Sequence, residues 1–200
     1  MARPGAAAMW FATPRQAWEA IVMAHPPPLR VNRAPVLTLW ASIVAERLGH
    51  APETALSLAS AIAGTAAHAK ARRLGLEERR EAGEEGKRKP QARVPHDTVR
   101  LLGREIPVTD GKDGPVLAVD ADGKAAPPGP VRAYVSRAFG DQLGNVRTAM
   151  EALACSVEPE ELDRTGFRLY ESFRPDVPEG ARGWGAKGEL HLDRIRAAAR

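Results

Sequence analysis

The residues of this chain that could hold a ligand are few, and the first set is Arg182-Gly-Trp-Gly-Ala-Lys-Gly188. Glycines ahead of a helix leave backbone N–H groups pointing outward, and Arg182 and Lys187 add positive charge. Arg182, Gly183, Trp184, Gly185, Lys187 and Gly188 could therefore form an anion-binding turn. The Gly-Lys-Ser/Thr ending of a phosphate-binding loop is missing. The blander alternative is that Trp184 fills a core gap and the glycines let the chain turn. A second set, Asp120, Asp122 and Gly123, starts like a calcium loop, but Lys124 follows and no Glu closes it at the right distance. This pattern reads as a turn. Histidines at 25, 50, 68, 96 and 191 show no paired spacing, so no metal site is expected. No acid–base pair can be nominated, and no catalytic residue, metal or cofactor is expected.

The single cysteine, Cys155, excludes an internal disulfide and a cysteine-based zinc site. A reducing compartment, the cytoplasm, is the simplest setting. Cys155 lies in an apolar helical stretch and is expected to be a small buried hydrophobe. No window approaches the roughly 20 apolar residues of a membrane span. Residues 1–12 are too quickly followed by Pro14, Arg15 and Glu19 to read as a signal peptide.

The charge balance leaves nucleic acid open without pointing to it. Net charge is +4, and most Arg residues are interleaved with Glu and Asp, where a nucleic-acid binder usually gathers its excess on one face. The basic residues of interest are Lys70, Arg72 and Arg73. They follow Ala45-Glu-Arg-Leu-Gly49 and Pro52-Glu-Thr54, which resemble the helix-turn-helix wording of bacterial DNA-binding domains. That resemblance covers about a dozen residues and would make the helix from Pro52 a recognition helix. Its chemistry argues otherwise: Ser57, Ser60 and Thr65 sit among Leu and Ala, where reading base edges needs long polar side chains. An Ala-rich helix suits close packing.

The elements that must position these residues follow from periodicity. Trp18, Ile21 and Val22 mark a short helix at residues 15–24, ended by Pro26-Pro27-Pro28. A helix at 35–48 presents Val36, Trp40, Ile43, Val44 and Leu48 as one apolar stripe and stops at Gly49. A second runs from Pro52 to about Arg73 with Ala55, Leu56, Ala59, Ile62, Ala63 and Ala66 inward. Residues 70–93 alternate basic and acidic groups with almost no large apolar residue, and are expected to be a flexible charged connector. The period then changes to two. Residues 98–102 and 105–108 read as strands turning at Gly103-Arg104, and residues 116–119 as a third. Such a small meander must lean on helices.

Helices return toward the C-terminus. Val131, Tyr134, Val135 and Phe139 share one face, Val146, Met150, Leu153 and Ala154 the next. Leu162, Leu169, Tyr170 and Phe173 line a third helix that opens at Pro159 and stops at Arg174-Pro175. A last helix runs from Leu190 to about Ala199.

The C-terminal half resembles a group of functionally uncharacterised bacterial and fungal proteins. The shared wording is Phe173-Arg-Pro175, Val177-Pro-Glu-Gly180 and Arg182-Gly-Trp-Gly-Ala-Lys-Gly-Glu-Leu190. The resemblance implies one folded unit over residues 1–200 and names no function. The expectation is therefore an α+β fold, predominantly helical: helical hairpin, charged connector, antiparallel β-meander, C-terminal helices. Two functions compete, a non-enzymatic protein whose helices pack on a partner or on a second copy, and a DNA-binding protein using the hairpin at 36–73.

Overall fold

The first α-helix, α1 (Arg33–Arg47), is the axis around which the rest is arranged. It belongs to a computed structural model that describes residues 27–73, 97–110, 116–119, 123–181 and 186–200. The side chains of residues 65 and 67–73 lie outside that description, as do the expected helix at 15–24 and residues 74–93 of the expected connector. Every α1 residue from Pro35 to Ala45 is buried, not only the expected stripe. Neighbours on all sides explain the difference, because a helix that is apolar all round belongs inside a core. Its two hydroxyls enter the core by bonding back to their own helix. Thr38 Oγ1 donates to the Ala34 carbonyl at 2.9 Å, and Ser42 Oγ to that of Leu39 at 2.8 Å. Gly49, at φ +96°, ends the helix. The His50 N–H reaches the Ala45 carbonyl at 3.1 Å and the Gly49 N–H that of Glu46 at 3.0 Å, the paired bonds of a Schellman stop.

Helix α2 (Pro52–Arg73) returns along α1, as the sequence predicts. Pro52 opens it and Glu53 lies in its first turn. Among its described side chains, the buried ones are Thr54, Ala55, Ser57, Leu58, Ala59 and Ile62. Leu58 lies in the core where Leu56 was expected, and Leu56 is only half-buried. Ser57 is the peg of the far side. Its Oγ donates to the Ala126 carbonyl at 2.7 Å and accepts the Ala118 N–H at 2.9 Å, so α2 is covered there by the meander.

The meander is β2 (Asp97–Leu101), β3 (Arg104–Thr109) and β4 (Leu117–Ala118), antiparallel in that order. Val99 faces Ile106 and Val108 faces Ala118. Leu101, Ile106, Val108 and Ala118 join the helical core, which supplies the support that three short strands need. The hairpin turn is Leu102-Gly103, one residue earlier than expected, with φ +52° and +71°. A two-residue hairpin turn of this kind needs positive φ at both positions. Leucine there costs about 1–2 kcal/mol, and the packing of its side chain offsets that cost.

The C-terminal set is α3 (Pro128–Phe139), a 3-10 turn at Gly140–Gln142, α4 (Leu143–Cys155) and α5 (Pro159–Phe173). Val135 and Phe139 anchor α3, but Tyr134 is 42% exposed and points away from the face assigned to it. On α4 the inward positions are Val146, Ala149, Met150, Leu153 and Ala154. Cys155 falls past that stripe and is exposed, which corrects the expectation of a buried thiol. On α5 the stripe is Leu162, Gly166, Tyr170 and Phe173, with Leu169 half-buried beside it.

The sequence expectation missed a two-stranded ribbon. Strand β1 (Leu29–Val31) pairs antiparallel with β5 (Gly188–Leu190), Leu29 opposite Leu190 and Val31 opposite Gly188. Asp176 and Glu189 exchange backbone bonds of 3.0 and 2.9 Å on the other side of β5. The last helix, α6 (Leu192–Ala198), therefore starts after this strand and not at Leu190. Among the described residues, no helix is long and apolar enough to cross a membrane.

Candidate functional site

Two places in the described structure are candidates, a buried junction and a cleft. The first is the junction of α1, α5 and the hairpin tip. Trp40 is fully buried, and its Nε1 donates to the Gly166 carbonyl at 2.8 Å. Phe173 meets the indole edge-on, with centroids 5.4 Å apart at 82°, and Tyr170 meets Phe173 at 5.8 Å and 85°. Gly166 is a notch. A Cβ built on it would lie 2.5 Å from Leu102 Cδ2, so Leu102 occupies the room that the missing side chain leaves. Asp163, one turn earlier, accepts the Gly103 N–H at 3.4 Å and pairs with Arg100 at 3.1 Å. Burial pushes the Tyr170 hydroxyl up to about 12, opposed by the nearby Arg33 and Arg174 charges, and the hydroxyl donates to the Arg33 carbonyl at 3.2 Å. This junction is filled, and what it does is hold three elements together.

The second place is a cleft of about 270 Å³ beside the ribbon. Pro27, Pro28, Leu29, Gln142, Val146 and Leu192 line it among the described residues. Each comes from a different local constraint. The two prolines fix the approach to β1, and pairing with β5 holds Leu29 in place. Gly140, at φ +52°, turns the chain out of α3 into the 3-10 turn that carries Gln142. The Asn145 amide donates to Gln142 Oε1 at 3.1 Å and orients its side chain. Val146 is wholly buried on α4, and Leu192 starts α6, which Ile195 fastens to the core. The described lining is uncharged: five apolar residues and one amide. Charges stand outside it as ion pairs, Arg194 with Asp176 and, behind α4, Arg147 with Glu46 and Glu151. Burial alone would lower the Arg147 pKa, but the two carboxylates outweigh it and the net shift is upward.

The residues that the sequence singles out lie elsewhere. Lys70, Arg72 and Arg73 fall in the last turns of α2, with side chains outside the described set. The part of that helix expected to enter a DNA groove is enclosed: Thr54 and Ser57 are buried, and Ser57 spends both its bonds on the meander and the chain beyond it. Reading base edges needs a free polar face, and residues 54–62 do not present one. Of the anion-binding turn, Arg182, Gly183, Trp184 and Gly185 lie outside the described residues, and Lys187 is exposed. Gly188 has a backbone reason to be glycine. A Cβ there would stand 2.8 Å from the Asp176 carbonyl oxygen and 3.0 Å from the Pro175 carbonyl carbon. Strand β5 also separates the turn from α6, so the helix N-terminus that the anion reading relies on is not adjacent. Residues 120–122 of the turn at 120–123 are undescribed as well. Among the described residues, no three His, Cys, Asp or Glu side chains are grouped to hold a metal ion.

The cleft left no trace in the sequence reading, because its walls come from separate segments and none carries a titratable group. The ribbon that builds it could have been suspected from the alternation in Leu29-Arg-Val31 and Gly188-Glu-Leu190, but three-residue strands give too little pattern to stand on. In the comparisons with known proteins, no family model, no curated protein and no solved structure matches the chain.

Proposed function

We propose that this chain is a non-enzymatic binding protein whose cleft at Leu29, Gln142, Val146 and Leu192 takes an apolar side chain from a protein partner, a second copy of the chain being the first partner to test. The observation that carries this reading is the chemistry of the lining. Leu29, Leu192 and two prolines offer van der Waals contact over the buried Val146, and Gln142 offers one amide to a backbone group of the partner. A volume of about 270 Å³ falls below the range of roughly 300–1,000 Å³ typical of small-molecule sites. One large side chain, or two small ones, fits it. The walls also suit the role, because prolines and a paired strand lose little freedom on binding. The DNA reading has no such support, since Thr54 and Ser57 of its recognition helix are buried and Ser57 is spent on intramolecular bonds.

The test is sedimentation velocity of the full chain over a hundredfold concentration range, with affinity capture beside it. The reading expects either a mass that rises with concentration or a specific protein partner whose binding survives raised salt, since the contact is apolar. A chain that stays monomeric throughout and captures no partner overturns it. Binding to a DNA duplex that fades as salt rises would favour the other function instead.

A further inference from the structure

We draw no further inference here: the strongest candidate, the outward face of α3 on which Pro130, Tyr134 and Arg137 are exposed, is an unpartnered surface patch, and nothing in the structure shows what covers it.

Discussion

Around Trp40, three segments meet with their side chains almost wholly excluded from water: Trp40 itself, Phe173 and Leu102 are at most 4% exposed. The one indole N–H has its acceptor, and the one tight turn has its filled notch. Around the β1–β5 ribbon, by contrast, strands of three residues carry exposed charges at Arg30 and Glu189, and the ion pair of Arg194 with Asp176 is half open to solvent. The two regions use different physics. The first gains its stability from buried area and close packing, which scale with surface removed from water. The second rests on fewer buried side chains, Val31, Leu190 and Ile195, and adds backbone pairing and exposed ion pairs that solvent and salt weaken. A region of the second kind can leave part of its apolar surface uncovered, and the cleft is where it does so.

Substitutions should separate the two regions by size of effect. Trp40→Ala removes the largest fully buried side chain among the described residues and should cost about 3–5 kcal/mol. That is a large part of the 5–15 kcal/mol typical of a domain, so urea denaturation should show a chain unfolded or close to it. A near-native midpoint would mean that the junction is not the centre of the fold. Next in size is Gly188→Ala, whose Cβ must displace the Asp176 and Pro175 backbone. It should cost about 1–3 kcal/mol by overpacking and should speed amide exchange at Asp176 and Glu189. Unchanged exchange at those two amides would show that the ribbon gives way freely.

The pH dependence tests the junction again, with a smaller effect. The Tyr170 hydroxyl is held neutral to about 12 in the folded chain, against an ordinary value of 10.0. Its contribution is thus fully present below pH 10 and is lost as pH rises toward 12, because the unfolded chain releases its proton first. Wild type should lose on the order of 1–2 kcal/mol between pH 9 and 11.5 that Tyr170→Phe does not lose. Equal slopes for the two proteins would place the hydroxyl in contact with water. The smallest effect is expected on the ribbon side. Arg194→Ala breaks a half-exposed ion pair and should change stability by less than about 1 kcal/mol, and by less still in high salt.

How much of this was legible in the sequence follows the same division. The helices were readable because prolines and glycines punctuate them: Pro52 and Pro159 open helices, and Gly49 and Arg174-Pro175 close them. The α+β, predominantly helical architecture stands in the structure. What failed depended on residues far away in sequence. Nothing local tells that Leu102 will adopt positive φ. The Gly166 notch on α5 and the core around it offset the strain, and the turn moves back by one residue. Nothing local tells that α1 will be covered on every side, since its cover comes from α2, α3, α4, α5 and β2. Tyr134 was assigned inward by apolar periodicity, which fixes the centre of a stripe better than its edges, and Cys155 by the general tendency of free cysteines to be buried. The cleft was illegible for the strongest form of this reason: an uncharged site assembled from four short stretches carries no motif.

The most direct test of the central claim fills the cleft without touching the core. Gln142 is exposed on its 3-10 turn, so Gln142→Trp should place an indole over Leu29 and Leu192 and leave folding intact. The measurement is sedimentation velocity of wild type and variant, at equal concentration and with equal urea midpoints. The account predicts that the concentration-dependent mass, or the capture of the partner, is lost in the variant. A variant that associates as wild type does, with the same midpoint, would contradict it.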